Sequence, residues 1–221
     1  MYILIQYLFK SYFEDEMDFR RARTQEQFNQ RRDEIIKCCD EILSQEGIEA
    51  ITLQAIAKKT TLNRSSIYNY FSTKEEILLQ ILVIELRKWV TQLSEKTYES
   101  KEEFIKFFSQ SLSTRKKMLD LLGILNTKLE PHASLQSLIT FKQDSYEVFK
   151  DLEKILIVFC KTKEMSRDVI FSMFSLIAGL YSFCNPTQKQ IQASKDFSHY
   201  FQTPPFEAMC AKSMELLLFK F

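Results

Sequence analysis

The sequence contains little glycine, proline or tryptophan: of its 221 residues, three are Gly, four are Pro and one is Trp. Short strands joined by tight turns draw heavily on Gly and Pro, whereas long helices with short loops need few of them. Hydrophobic residues make up 45% of the chain and charged residues 27%, which excludes disorder over most of its length. The composition therefore predicts an all-α fold with a buried core.

The chain also lacks the residue spacings of metal sites, disulfide frameworks and most enzymes. Its five cysteines show no C-x-x-C spacing, and His132 and His199 are isolated from each other and from other ligands. There is no Gly-rich phosphate loop, no Ser-His-Asp order and no pair of carboxylates beside a nucleophile. We expect no metal, no cofactor and no catalysis; an enzyme is the alternative, acting through residues that the sequence does not identify.

Two apolar segments have the character of targeting or membrane segments. The N-terminal run from Met1 to Phe9 has no basic residue before it and no small-residue cleavage site, which argues against a signal peptide. The run from Val169 to Cys184 contains three serines and is shorter than the ~18–20 residues of a membrane span. We predict that this second run is a buried helix and that the protein is cytoplasmic, with no membrane partner.

The chain divides into three predicted regions. Residues 1–30 show no sustained apolar period and form an N-terminal extension with a basic arm, in which Met17 is an alternative natural start to Met1. The arginines of this arm either contact DNA in the minor groove or on phosphates, or belong to a solvated tail; they are Arg20, Arg21 and Arg23. Residues 31–74 are the predicted DNA-binding domain, and residues 75–221 the predicted regulatory and dimerisation domain.

Apolar spacing and caps predict the helices of the DNA-binding domain. A helix begins at Arg31 and ends at Gly47, and one apolar stripe runs along it: Ile35, Ile36, Cys39, Ile42 and Leu43. Thr52 is a good N-cap for a second helix, and Asn63 for a third. Ser72 and Glu75 have the spacing of a capping box, which starts a fourth helix that continues to about Glu95.

Residues 52–74 have the pattern of a helix-turn-helix, with two short helices separated by about four residues. Ala57 is small where the two helices cross, and Leu53, Ile56, Leu62 and Ile67 can form their core. The outward side chains of the second helix are short polar groups, an arginine and a phenol, which suit a DNA groove; they are Asn63, Arg64, Ser65, Ser66, Tyr68 and Asn69. The alternative is that these residues are the solvated face of a surface helix.

The same segment resembles the DNA-binding region of the tetracycline-repressor (TetR) family of transcription regulators. The family pattern is matched at Thr52, Ile56-Ala57, Thr60-Thr61, Leu62-Asn63, Tyr68-Asn69-Tyr70-Phe71 and Lys74-Glu75, and the resemblance covers roughly residues 31–80. Thr61 stands where the family commonly has Gly. A β-branched residue is strained at positive φ, so this turn is expected to adopt another conformation.

The resemblance implies an N-terminal three-helix DNA-binding domain joined to a larger C-terminal helical ligand-binding and dimerisation domain. It implies phosphate contacts from Thr52, Tyr68, Tyr70 and Lys74. It implies base-edge positions for Arg64, Ser65, Ser66 and Asn69. For Tyr70 a place in the core is an equal alternative, since Ile67 and Phe71 lie on the same side.

Beyond residue 100 the sequence predicts further helices over 102–113, 115–125, from Pro131 to about 160, 169–184 and 206–219. The resemblance implies that the last two long helices pair with those of a second subunit, because a regulator of this design binds a palindromic double-stranded operator as a homodimer. Ordinary packing within the chain is the alternative. Nineteen Phe and nine Tyr can either fill the core or line a pocket for an apolar or aromatic effector.

These patterns together predict a sequence-specific DNA-binding regulator, a dimeric repressor that a small molecule releases. A helical protein-interaction module that has lost specific DNA binding is the alternative, because residues 17–73 carry nine basic and eight acidic side chains and so have little excess charge.

Overall fold

A computed structural model of the chain describes the backbone of residues 2–197 and 204–219 and the side chains of residues 24–196 and 204–219. Within this part of the chain the regular elements are helices, with no strand, as predicted. The chain divides into two compact units, Met1–Phe71 and Ser72–Phe221. His199 and Met1 lie outside the described residues, and so do the side chains of the predicted basic arm at Arg20, Arg21 and Arg23.

The first unit begins with a single long helix, α1 (Tyr2–Glu46). We expected this helix to begin at Arg31, which was wrong, since the helix continues without a break through the first 30 residues. The apolar stripe appears only in its C-terminal third, so periodicity could not reveal the earlier part. Gly47 follows the helix with a φ of 84°, a positive value that glycine adopts without strain.

Two short helices complete the first unit after a 3-10 turn at Ile48–Ala50: α2 (Leu53–Lys59) and α3 (Arg64–Ile67). The five predicted stripe residues of α1 are buried. Ile51, Ile56 and Ile67 are fully buried beside them, whereas Leu53, Ala57 and Leu62 are only half-buried. Burial of the isoleucines fixes which faces of α2 and α3 turn inward and leaves the opposite face of α3 exposed.

The second unit consists of the helices from α4 onwards. They are α4 (Lys74–Ser94), α5 (Lys101–Ser113), α6 (Lys116–Ile124), α7 (Glu130–His132), α8 (Leu135–Leu156), α9 (Lys163–Cys184), α10 (Gln188–Ala193) and α11 (Phe206–Phe219), with a π-turn at Leu125–Leu129 and a 3-10 turn at Lys195–Phe197. Helix α4 packs on α8, and α11 packs on both α5 and α9. Trp89 and Phe108 meet edge to face at 5.0 Å in the core of this unit.

The start of α4 differs from the predicted capping box. Its N-cap is Thr73, whose hydroxyl accepts a hydrogen bond from the N–H of Glu76 at 3.3 Å, and not Ser72. Glu76, rather than Glu75, reaches back, and its carboxylate accepts from the N–H of Ser72 at 2.7 Å. The prediction was wrong by one residue, because the sequence Ser-Thr-Lys-Glu-Glu offers two equivalent registers for the cap.

Helix α9 is more exposed than we expected. By length and composition alone, it is long and apolar enough to cross a membrane. Only 22% of its most apolar 18-residue stretch is buried, so the prediction of a buried helix was wrong. Phe171 is 77% exposed and Phe183 is 62% exposed. One apolar helix of this kind does not indicate a membrane protein, and its first two turns carry the charges of Lys163, Glu164, Arg167 and Asp168.

Candidate nucleic-acid interface

Local hydrogen bonds fix the ends of α2 and α3. Thr52 accepts a bond from the N–H of Ala55 at 3.0 Å and caps α2, as predicted. Asn63 accepts one from the N–H of Ser66 at 2.8 Å and caps α3. Since each cap satisfies an otherwise unpaired amide, both short helices begin at a defined residue.

Asn63 also orders the first turn of α3. Its side-chain oxygen accepts hydrogen bonds from the hydroxyls of Ser65 at 2.6 Å and Ser66 at 2.9 Å. The backbone N–H of Ser66 can only donate, so the amide oxygen of Asn63 must face it and the amide nitrogen must point away. Asn63 therefore offers donors to a ligand, while its acceptor serves the cap.

Arg64 and Tyr68 form a pair on the exposed surface of α3 and of the turn that follows it. The guanidinium Nη2 of Arg64 donates to the Tyr68 hydroxyl at 3.1 Å, and its central carbon lies 5.8 Å from the ring centroid. Only one of the five N–H donors of the guanidinium is used in this bond. The others remain able to bond to a guanine edge or a phosphate.

Tyr70 lies apart from this pair and packs against α1. Its ring centroid is 4.7 Å from that of Phe28, and the residue is half-buried, whereas the neighbouring Phe71 is buried. The ring therefore takes part in the packing of the first unit. The predicted phosphate contact of Tyr70 stays a prediction, and any such contact can use only its hydroxyl.

The remaining predicted residues occupy different positions. Thr52, Ser65 and Asn69 are exposed, and Ser66 is half-buried. Lys74 is the half-buried first residue of α4 and belongs to the second unit. Its predicted phosphate contact rests on the family pattern alone.

The charged side chains of the helix-turn-helix are all positive. Residues 52–71 contain three basic side chains and no acidic one: Lys58, Lys59 and Arg64. Lys59 pairs with Glu46 of α1 at 3.0 Å, whereas Arg64 is exposed on α3. A polyanion that approaches α3 therefore meets positive charge, although the chain as a whole is nearly neutral.

The turn between α2 and α3 contacts two residues that sequence reasoning missed. Arg31 and Glu34, on α1, both bond to Thr61. No non-glycine residue in the described chain has a positive φ, so Thr61 does not adopt the strained conformation that a glycine would allow. An oppositely charged pair three residues apart was visible in the sequence, but nothing in the sequence placed it beside Thr61.

Among the described residues of the second unit, two grooves are large enough for a small molecule. One, of about 830 Å³, lies between α4 and α8 and contains Tyr98 and Phe159. The other, of about 860 Å³, lies between α8 and α9, where the rings of Phe149 and Phe174 meet at 4.9 Å and Phe171 lines the wall. Lys154 lines both grooves. The second is the more aromatic of the two.

Family models match the chain from residue 35, in the C-terminal part of α1, to residue 219 at the end of α11. Residues 35–81 match the model for "Bacterial regulatory proteins, tetR family", and residues 79–219 match "Tetracyclin repressor-like, C-terminal domain". The fold and the exposed α3 define a helix-turn-helix protein with a larger helical second unit. More particularly, the chain belongs to the TetR family, whose members are non-enzymatic DNA-binding regulators.

Individual relatives agree with this assignment. The chain is 31% identical over 77 residues to the HTH-type transcriptional regulator QacR of Staphylococcus aureus strain Mu50, a match that covers 35% of this chain and 41% of QacR. It is 23% identical over 154 residues to the HTH-type transcriptional regulator SAB2452 of Staphylococcus aureus strain RF122, covering 66% and 81% of the two chains.

Solved structures show the same fold. The transcriptional regulator FadR from Bacillus subtilis, in complex with stearoyl-CoA, has a TM-score of 0.53 at 16% identity, covering 85% of this chain and 98% of FadR. Thermus thermophilus FadR, in complex with lauroyl-CoA, has a TM-score of 0.53 at 17% identity, covering 85% and 93%.

Proposed function

We propose that this protein is a sequence-specific DNA-binding transcriptional regulator that acts in the cytoplasm as a homodimeric repressor and is released by a small-molecule effector. The observation that carries the proposal is the exposed polar surface of α3. Capped by Asn63 and backed by buried Ile67, it presents Arg64, Tyr68 and Asn69 outwards on a segment without acidic residues.

The proposed DNA-contacting side chains, in α3 and around it, divide into two roles. Arg64 and Asn69 have the donors and acceptors that read guanine and adenine edges in the major groove. The hydroxyls of Ser65 and Ser66 donate to Asn63, so they offer acceptors beside them. Thr52, Tyr68, Tyr70 and Lys74 contact phosphates, which hold the protein on the duplex without reading sequence. The helix-turn-helix has too few base contacts to select a site alone, so two copies are needed.

The exposed apolar surface of α9 and α11 supports a dimer. These helices pack on each other within the chain, and together they leave Leu176, Phe183, Leu216 and Phe219 between 44% and 62% exposed. Ser175, Gly179 and Ser182 lie on the exposed side of α9, and a Cβ added at Gly179 would meet no atom within 4 Å. A helix of a second copy can approach this surface closely and remove its apolar side chains from water.

The groove between α8 and α9 supports an apolar or aromatic effector. Phe149, Phe171 and Phe174 supply apolar contact area, and Lys163 and Arg167 lie at the same groove. Two proteins of the same fold hold acyl-CoA, which combines a long apolar chain with anionic groups. An effector can release DNA only if it binds the DNA-free state more tightly than the DNA-bound state.

Selection of duplexes from a random pool by the purified protein tests the proposed function. We expect enrichment of a palindrome whose half-sites lie about one helical turn (~34–36 Å) or a multiple of it apart. If no sequence is enriched at physiological salt, with or without acyl-CoA in the buffer, the regulator proposal fails and the protein-interaction alternative is favoured.

A further inference from the structure

Three hydrogen bonds join the helix-turn-helix turn to α1, and a fourth, within α1, links Arg31 to Glu34. We name the three residues Arg31, Glu34 and Thr61 the turn clamp. The N–H and the hydroxyl of Thr61 both donate to Oε1 of Glu34, each at 3.2 Å. Nη1 of Arg31 donates to the Thr61 hydroxyl at 2.9 Å and to Oε2 of Glu34 at 2.7 Å. The Thr61 hydroxyl thus donates once and accepts once, and each member bonds to the other two.

The turn clamp acts where α3 has little support of its own. Helix α3 has four residues, far fewer than a helix needs to be stable alone, so its position depends on its cap, its core contacts and the turn before it. Ile67 anchors one face of α3 in the core. Thr61 lies two residues before the Asn63 cap, so holding Thr61 holds the point at which α3 begins.

The charges of Arg31 and Glu34 strengthen the hydrogen bonds of the turn clamp. The hydrogen bond from Arg31 is the main cause of a lowered pKa at the Glu34 carboxyl, and the Thr61 N–H lowers it further. Glu34 is therefore ionised at neutral pH, and bonds to a charged acceptor are stronger than bonds between neutral groups. The clamp is partly exposed, with Arg31 and Glu34 side chains 48% and 29% accessible, so it orders the turn more than it stabilises the unit as a whole.

We propose that the turn clamp is a positioning device that holds α3 in the one orientation from which it reads DNA. Arg31, Glu34 and Thr61 are positioning residues, since they act through the turn and not through contact with bases. The clamp replaces the backbone freedom of a glycine turn with side-chain bonds from α1. This inference rests on the proposed function for its consequence at DNA, whereas the ordering of α3 can be measured without DNA.

Thr61→Val and Thr61→Ser form a matched pair that tests the clamp. Valine keeps the shape of threonine and removes both hydroxyl bonds, whereas serine keeps the hydroxyl. With the duplex that the wild-type protein selects, we expect Thr61→Val to lower the ratio of specific to random-duplex affinity about tenfold, and Thr61→Ser to change it less than about twofold. Affinity for random duplex is expected to stay unchanged in both variants.

Amide hydrogen exchange of the free protein gives the second readout. We expect Thr61→Val to speed exchange of the Ile67 and Tyr70 amides, which bond to Asn63 and Ile67 carbonyls, while α1 amides stay as protected as in the wild type. Unchanged exchange at α3, or equal specificity ratios in the valine and serine variants, overturns the clamp. If the wild-type protein selects no duplex, the proposed function fails separately, and the exchange result alone decides whether the clamp orders α3.

Discussion

The guanidinium of Arg64 donates a hydrogen bond to the hydroxyl of Tyr68 at 3.1 Å, so the arginine of α3 is held against an aromatic ring four residues further along the chain. Both side chains are exposed. Because a long arginine loses rotamer freedom when it binds, this contact lowers the entropy cost of presenting it to a base edge. The pair is the most specific feature of the candidate DNA-reading surface.

Two substitutions at Arg64 separate base reading from charge. We expect Arg64→Ala to cost about 1–3 kcal/mol of binding to the selected operator and to relax preference at one base pair. Arg64→Lys keeps the charge but replaces the rigid guanidinium fork with a flexible ammonium, so it should relax the preference only in part while keeping more of the random-duplex affinity. Competition binding on operators changed one base pair at a time measures this. If the alanine variant keeps the wild-type preference at every base pair, Arg64 does not read a base.

Lys74 is predicted to contact a phosphate. Lys74→Ala should weaken binding to operator and random duplex alike and should reduce the slope of log K against log salt by about 0.9, because one fewer counterion is released. Titrations at several salt concentrations measure the slope. Lys106→Ala, which removes an exposed lysine of α5, is the matched control and should leave the slope unchanged. Equal slopes for Lys74→Ala and the wild type would exclude the contact.

Glu76 links the starts of α4 and α8. Its carboxylate accepts from the N–H of Ser72 at 2.7 Å and of Ser134, the N-cap of α8, at 3.0 Å, and the residue is only 3% exposed. Burial raises the pKa of Glu76, but the hydrogen bonds from Ser134 and Ser72 outweigh burial and leave the pKa below its ordinary value. Glu76→Gln should therefore lower the free energy of unfolding by about 1–3 kcal/mol at pH 7.

The pH dependence of this difference has a defined sign. A carboxyl whose pKa is lower in the folded state contributes stability above its unfolded pKa of about 4.3, and loses that contribution as the pH falls towards the folded value. Denaturant unfolding of the wild type and of Glu76→Gln should thus differ most near neutral pH and least in acid. Glu75→Gln is the control. If Glu75→Gln lowers the free energy of unfolding more than Glu76→Gln does, the result would contradict the role of Glu76 and support the capping box that the sequence predicted.

The caps show how far local sequence could predict this fold. Thr52 and Asn63 were placed correctly because a capping side chain bonds to an amide two or three residues away. At the start of α4 two cap registers were equally good locally, and the choice depended on Ser134, which is 58 residues from Glu76.

Longer-range features could not be predicted from the sequence. The first 30 residues of α1 carry no apolar stripe, so periodicity could not show a helix there. The exposure of Phe171 and Phe183 followed from which face of α9 met its neighbours, which composition does not define. The sequence shows Arg31 and Glu34 only as charged residues of a helix, and their contacts with Thr61 depend on how α1 packs against the turn between α2 and α3.

The apolar surface of α9 and α11 is expected to form the dimer interface. Leu216 is 51% exposed on α11, and Leu216→Glu would place a charge in a surface that must lose water on association. We expect this variant to sediment as a monomer at concentrations where the wild type is a dimer. Leu135→Glu changes a leucine of α8 that is 74% exposed and should remain dimeric. Dissociation of both variants, or of neither, would contradict this interface.

The groove between α8 and α9 is expected to bind an aromatic anion. With 1-anilinonaphthalene-8-sulfonate as the probe, we expect saturable fluorescence, and Phe171→Ala should weaken binding about tenfold because an apolar wall is lost. Phe171 is largely exposed, so its truncation should leave the fold unchanged. Leu135→Ala removes an exposed apolar side chain outside the groove and is the control. Equal dye affinity in the two variants would place the dye elsewhere.

Specific recognition of DNA by α3 is the central claim, and the ratio of affinities for the selected operator and a scrambled duplex of equal length tests it most directly. Measured with the wild-type protein at about 0.15 M salt, this ratio should reach about 10³ or more, and it should fall in Arg64→Ala. A ratio close to one would contradict the account, because the exposed surface of α3 would then bind DNA through charge alone.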